Sequence, residues 1–167
     1  MRKVVKVLFV CMGNICRSPT ADAVFRTQVK RAGLARQVQT DSAGTLDYHS
    51  GEPPDPRAQA AASKRGYDMK SFRARQIRDT DFIEYDYILA MDSHNLGILH
   101  KLCPERYFSK LGLFMEFSAG KALEVPDPYY GRSAHFEEVL DLIEDGAKGL
   151  LEHIQRYDLK LSATNPG

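Results

Sequence analysis

Long hydrophobic runs are missing from this chain of 167 residues: no stretch approaches the ~20 consecutive apolar residues that a membrane-spanning helix requires. The basic and then apolar start, MRKVVKVLFV, is interrupted by Lys6 and followed by no small-residue cleavage site. Residues 3–10 therefore read as a buried strand and not as a secretion signal. Cysteine is scarce as well. Cys11, Cys16 and Cys103 are an odd set at spacings that build no disulfide framework, and a chain of this length needs no staples, which fits a reducing cytoplasm. An excess of either charge is also absent, since 23 Lys and Arg against 22 Asp and Glu leave a formal net charge of +1. With no global field to hold nucleic acid, and with no membrane partner expected, any anion must be bound by a local site. The five histidines fall at no metal-ligand spacing, so no metal site is expected, and His49 reads as a solvated or structural side chain.

What is present is a composition of 43% hydrophobic and 27% charged residues, enough for a single domain with one sizeable core. We assign it residues 1–158, with 159–167 as a flexible C-terminal tail; no internal repeat, low-complexity tract or linker interrupts it. KVVKVLFV is β-branched and apolar enough for a central parallel strand covered on both faces, ending at Cys11. Ser18 suits a helix N-cap and Pro19 the first helical position, and Ala21, Val24, Phe25, Val29 and Ala32 follow at helical spacing until Gly33. VQTDSAGT at 38–45 predicts a short strand, and Asp55-Pro56 opens an alanine-rich helix that ends near Gly66. YDYILAM at 85–91 predicts another strand, then a Ser93-capped helix to about Leu102; RYFSKLGLF at 106–114 is a weaker strand. After Ser133, residues Phe136, Val139, Leu140, Ile143, Ala147, Leu150, Leu151 and Ile154 form one apolar stripe. Gly146 and Gly149 each weaken that helix by roughly 1 kcal/mol against alanine. Strands alternating with helices imply an open, mostly parallel α/β sheet, whose ligand sits at the carboxyl ends of the strands where strand order reverses.

The loop after the first strand, CMGNICRS at residues 11–18, lies at such an end. Gly13 and Asn14 tolerate positive φ, so successive N–H groups can converge on one concavity at a helix N-terminus, which is an anion site. Neither G-x-x-x-x-G-K-[ST] nor G-x-G-x-x-G is present, so the anion is not held as a nucleotide. Cys11 opens the loop facing these dipoles with Arg17 nearby, surroundings that favour a nucleophilic thiolate. The planar fork of Arg17 matches two oxygens of a phosphoryl group. A buried cysteine at a strand end is the plain alternative for Cys11 taken alone. The joint pattern of strand, Gly-Asn turn, Cys-x5-Arg-Ser and helix favours chemistry. Expelling an alcohol from a phosphate ester is helped by a general acid, and Asp127, between Pro126 and Pro128, is the best candidate, although on these residues alone a turn-forming Asp-Pro is the stronger reading. Cys16 is either a buried thiol or a resolving thiol able to trap an oxidised Cys11 as a reversible disulfide. Cys103 reads as structural, and Arg73, Arg75 and Arg78 as a solvated basic face.

Together CMGNICRS, DSAGT (41–45), ARQI (74–77), YDYILAMD (85–92) and DPYY (127–130) resemble, in order and spacing, the low-molecular-weight protein tyrosine phosphatases. The resemblance implies a single α/β domain, an open four-stranded parallel sheet flanked by helices on both faces. It also implies hydrolysis of phosphotyrosine in protein substrates with no cofactor or metal. By that likeness Cys11 is the nucleophile of a phosphocysteine mechanism, Arg17 clamps the phosphate and Asp127 is general acid and then base. Met12, Gly13, Asn14, Ile15, Cys16 and Ser18 surround the phosphate, with Ser18 bonding the sulfur and Asn14 and Ser42 bracing the loop. Tyr48 and Tyr129 fall at the positions of the aromatic walls. Ile15 favours phosphotyrosine, because related phosphoarginine phosphatases carry threonine there. One position departs from the pattern: many relatives have a histidine where this chain has Phe72, which leaves loop bracing on that side in question. Thiol-dependent arsenate reductases share the loop but relay a disulfide through further cysteines, of which only Cys103 remains here. A non-catalytic phosphopeptide-binding module would lack the nucleophile or the acid. A monomer is expected, with a weak dimer left open.

Overall fold

The computed structural model describes residues 4–160. Four parallel strands, β1 (Val5–Cys11), β2 (Val38–Gly44), β3 (Tyr87–Ala90) and β4 (Leu111–Leu113), form one sheet in the order β2-β1-β3-β4. The helices are α1 (Arg17–Arg31), α2 (Pro56–Lys64), α3 (Asp79–Glu84), α4 (Ser93–Leu102) and α5 (Ser133–His153). The chain leaves β1 toward β2 on one side and returns to β3 on the other, so the direction of winding reverses between β1 and β3. The loop that follows β1 emerges at that crevice.

β1 is interior because its side chains are buried on both faces, as its unbroken apolar character requires. The alternation of a strand sends Val5, Val7, Phe9 and Cys11 into one core with α1, α2 and α5, and Leu8 and Val10 into a second with Phe82 of α3 and Leu99 of α4. Phe9 anchors the first core, meeting Phe25 and Phe114 edge-to-face at centroid distances of 5.6 and 5.1 Å. Gly33 and Gly66 take φ of +74° and +87° just past α1 and α2, the left-handed conformation that ends a helix. Leu159 still packs against the first core; positions 161–167 of the expected tail lie outside the described residues.

Several boundaries differ from the sequence expectation for identifiable reasons. α1 starts at Arg17, with Cys16 at the cap position and no side-chain cap, so Pro19 is the third helical residue and Ser18 faces the loop instead of capping. At α4 the cap is Asp92, whose Oδ1 accepts from the Asn95 N–H at 2.8 Å, and Ser93 is the first helical residue. The strand expected over 106–114 shrinks to 111–113, preceded by a 3₁₀ turn, because its sole neighbour β3 offers partners only from Ile88 to Ala90. α3 was not anticipated, being six residues long and too short to show a helical period.

Gly149 serves a purpose opposite to the propensity cost. A Cβ there would lie 1.7 Å from the Phe117 carbonyl oxygen, so only glycine lets α5 approach the turn at Phe114–Phe117 so closely.

Candidate active site

The loop between β1 and α1 is held from outside through its carbonyls. Thr45 N–H donates to Cys11 O at 2.9 Å, Leu46 N–H to Met12 O at 3.0 Å, and Asp55 N–H to Ile15 O at 2.8 Å. In a trans peptide the N–H points opposite to the C=O, so the N–H groups of Met12, Gly13 and Cys16 face away from these partners, into the loop. Gly44 permits the approach, since a Cβ at that position would come within 2.7 Å of Met12 O. Asn14 takes φ +58°, and its side chain repays the strained turn with three bonds. Its Nδ2 donates to Ser18 Oγ at 2.9 Å and Ser42 Oγ at 2.8 Å, while Oδ1 accepts from the Arg75 N–H at 3.0 Å.

Ser18 Oγ lies 3.0 Å from Cys11 Sγ. Because Asn14 already donates to this hydroxyl, its own proton is shared between the sulfur and the Ala43 carbonyl at 3.4 Å. Arg17 is 2% exposed despite its charge. Its Nη1 donates to Asp92 Oδ2 at 2.6 Å and Val125 O at 3.0 Å, and its Nη2 is 3.6 Å from Asp127 Oδ2. Burial opposes the guanidinium charge, but Cys11, Asp92 and Asp127 outweigh it and hold Arg17 above its ordinary value. With Nη1 committed to Asp92 and Val125, the Nε and Nη2 edge remains as a fork for two anionic oxygens.

Over the loop opens a cleft of about 340 Å³. Buried Cys11, Ile15 and Arg17 lie at its base, and Leu46, Tyr48 and His49 line it together with Asp127, Tyr129 and Tyr130. Met12, Gly13 and Cys16 complete the lining, whereas Asn14, Ser18 and Ser42 stand behind it as buried braces. The other residues anticipated from the sequence line the cleft; of these three, Ser18 bonds Cys11, Asn14 bonds Ser18, and Ser42 bonds Asn14. Asp127 Oδ1 accepts from the Tyr129 N–H at 3.0 Å, a short-range Asx turn that aims the carboxylate inward. A second groove, about 490 Å³ between α2 and residues 66–70, shares none of these side chains.

Four participants were not anticipated as site residues: Asp92, Leu46, His49 and Tyr130. Asp92 lies in YDYILAMD at the end of β3, beside the switch point, and that position is the signal that could have singled it out. His49 is bonded to Glu52 at 2.7 Å and sits against Gly13, so it is a wall of the cleft and not a solvated bystander. The uncertainty raised by Phe72 resolves in favour of an intact loop. Asn14 takes its third bond from the backbone of Arg75, and Phe72 packs under the Arg26 guanidinium at 5.0 Å. Arg75 is not part of a solvated face, since it pairs with Asp41 at 3.1 Å and Asp81 at 2.9 Å. Burial, reinforced by Asp55, Cys11 and Asp127, pushes the Cys16 thiol far up, so it is a neutral thiol at physiological pH.

A cysteine and an arginine at opposite ends of an anion loop, at the switch point of a doubly wound sheet, place the protein among the cysteine-based phosphate-loop folds. The comparisons make the class particular. The family model for low molecular weight phosphotyrosine protein phosphatase matches residues 6–160, and the chain belongs to that family. It is 46% identical over 148 residues to a putative low molecular weight protein-tyrosine-phosphatase of Synechocystis, covering 87% of this chain and 94% of that protein. Against the Homo sapiens low molecular weight phosphotyrosine protein phosphatase it is 44% identical over 139 residues, covering 80% and 85%. A protein tyrosine phosphatase from Entamoeba histolytica, crystallised with Hepes in the active site, superposes with a TM-score of 0.88 at 40% identity, covering 94% of this chain and 99% of that one.

Proposed function

We propose that the protein hydrolyses phosphotyrosine monoesters in protein substrates, in two displacements through a phosphocysteine. The observation that carries this reading is the facing of Cys11, Arg17 and Asp127 across one cleft, with Asp127 3.6 Å from Arg17 and Ser18 bonded to the sulfur. Cys11 Sγ attacks phosphorus, the bridging P–O bond breaks, and Asp127 gives its proton to the departing phenol oxygen. The three non-bridging oxygens carry the charge of the transition state to the loop N–H groups and the free edge of Arg17. In the second displacement the Asp127 carboxylate takes a proton from water, whose oxygen forms the new P–O bond as the S–P bond breaks and the thiolate leaves toward Ser18.

Depth favours tyrosine. Cys11 is 3% exposed at the floor while Tyr48 and Tyr129 rise beside it, so a long aromatic ester reaches the sulfur with its ring between aromatic walls. Ile15 on the floor supplies an apolar contact, in keeping with a phenyl ring. Arsenate reduction is disfavoured because Cys103 packs in the core on the opposite face of the sheet from Cys11 and Cys16 and offers no relay. A reducing compartment such as the cytoplasm would keep Cys11 active, and a monomer would leave the cleft open to protein substrates.

The test is hydrolysis of phosphotyrosine, phosphoserine and phosphoarginine peptides in EDTA by wild type, Cys11→Ser and Asp127→Ala. Activity on phosphotyrosine alone, abolished in Cys11→Ser and reduced by about 10²-fold or more in Asp127→Ala, is the expected outcome. Undiminished activity in Cys11→Ser, or a strict metal requirement, would refute the mechanism. A preference for phosphoarginine would refute the role given to Ile15.

A further inference from the structure

Asp127 lies on a segment with little freedom of its own. Pro126 and Pro128 fix φ on either side of it, and Val125 and Asp127, each preceding a proline, are confined to extended backbone. A shift at residue 124 or 125 is therefore carried to the carboxylate and not absorbed on the way.

That upstream end is held by three bonds, one from the end of β3, one from the start of α4 and one from Arg17 at the start of α1. Val125 N–H donates to Met91 O at 2.8 Å, Arg17 Nη1 donates to Val125 O at 3.0 Å, and Ser93 N–H donates to Glu124 Oε2 at 2.6 Å. The first two are fixed by backbone or by the phosphate clamp itself. The third depends on the Glu124 side chain, which is hydrogen-bonded to Ser93 and whose charge also acts on Arg17 and Asp92. Ser93 opens α4, so its N–H is one of the donors a helix leaves unpaired, and the Glu124 carboxylate satisfies it. The Ser93 N–H and then its hydroxyl hold Glu124 below the usual carboxylate range, so Glu124 is an anion at neutral pH. Downstream, Arg57 Nη2 donates to Tyr129 O at 2.8 Å. Arg57 also pairs with Asp55 and covers the Phe136 ring, so changing it would disturb α2 and the cleft wall together.

We propose that Glu124 is a positioning residue for the general acid: by clamping residues 124–125 to the N-terminus of α4 it sets where the Asp127 carboxylate stands over the cleft. The role rests on the assignment of Asp127 as the acid, and it predicts a dependence on the leaving group. Phenols that leave poorly need the proton, whereas p-nitrophenol leaves as a stable anion and needs it little.

The experiment compares kcat/KM for phosphotyrosine and p-nitrophenyl phosphate in wild type, Glu124→Ala, Glu124→Gln, Asp127→Ala and the Glu124→Ala, Asp127→Ala double variant. Glu124→Ala should lose about tenfold on phosphotyrosine, part of the ~10²–10⁴ a general acid supplies, and less than about twofold on p-nitrophenyl phosphate. Glu124→Gln keeps a carbonyl acceptor for Ser93 and should recover part of that loss. In the Asp127→Ala background, Glu124→Ala should cost nothing further on either substrate. Equal losses on both substrates, or the same loss repeated without Asp127, would overturn the positioning role. If Asp127→Ala shows no dependence on the leaving group, the acid assignment falls and this role with it. If Asp127→Ala shows it and Glu124→Ala does not, only the role of Glu124 falls.

Discussion

Asp92 is the residue whose removal tests the proposed role of Arg17 as phosphate clamp most directly. Its Oδ2 receives Arg17 Nη1 at 2.6 Å, and its Oδ1 caps α4 through the Asn95 N–H at 2.8 Å. Alanine removes both. Losing one partner of a fully buried ion pair costs about 3–5 kcal/mol. Arg17 is 2% exposed but the Asp92 side chain is 23% exposed, and Cys11 and Asp127 still face the guanidinium, so a smaller loss applies. Adding about 1 kcal/mol for the cap gives a total near 2–3 kcal/mol, which lowers Tm by about 4–12 °C in a domain of this size. Asparagine keeps one acceptor oxygen, for Arg17 or for the Asn95 N–H but not for both, and should lose less than alanine. Without the carboxylate, Nη1 retains only Val125 O, and the fork no longer holds one orientation. A charge-assisted bond of about 1.5–3 kcal/mol then disappears from the transition state, and kcat/KM should fall by about 10–100-fold in Asp92→Ala. Thermal melts and phosphotyrosine kinetics on Asp92→Ala and Asp92→Asn check both quantities. Asp92→Ala with a lowered Tm but kcat/KM within twofold of wild type would refute the claim that Asp92 orients Arg17.

Two further outcomes concern stability. Gly149→Ala should destabilise the protein by about 2–3 kcal/mol in urea unfolding, because the new Cβ collides with Phe117 O and the overpacking outweighs the gain of about 1 kcal/mol in helix propensity. A net stabilisation would show that α5 can move away from the turn. Asp22 is buried beside Arg26 and Thr40, and burial raises its carboxyl from 3.8 to about 6, so the folded protein binds this proton more tightly than the unfolded chain does. Unfolding then releases the proton, and this group's contribution to stability declines as pH rises through about 4 to 6, by at most about 3 kcal/mol. The urea midpoint of wild type relative to Asp22→Asn should fall over that range, and a constant difference would refute the burial effect.

Features confined to a few neighbouring residues could be read from the chain, and features made by distant pairs could not. β1 was readable because burial on both faces leaves an unbroken apolar run, and the loop after it because cysteine, turn and arginine lie within seven residues. The tie between Arg17 and Asp92 spans 75 positions and leaves no local pattern, and that between Ser93 and Glu124 spans 31. Ser18 misled because a serine before a proline is a good cap in isolation. Its hydroxyl is instead claimed by Cys11 and Asn14, which only the closed loop brings within reach. β4 was overextended because a strand ends where its neighbour's ladder ends, a property of β3 and not of residues 106–114.

The same logic explains why the departure at position 72 leaves the loop intact. A side-chain amide offers two donor and two acceptor positions. Ser18, Ser42 and the Arg75 N–H fill three of the four on Asn14, so any further donor could add only one bond to a group already fixed on both sides. Two of those three partners are hydroxyls held in the core and the third is backbone, which no substitution at position 72 removes. Phe72 is thereby free to cover Arg26, which in turn bonds Asp22 and the Thr40 carbonyl and ties α1 to β2. The aromatic ring thus strengthens the helix that carries Arg17, on the side of the loop where a polar residue would have had one bond left to make.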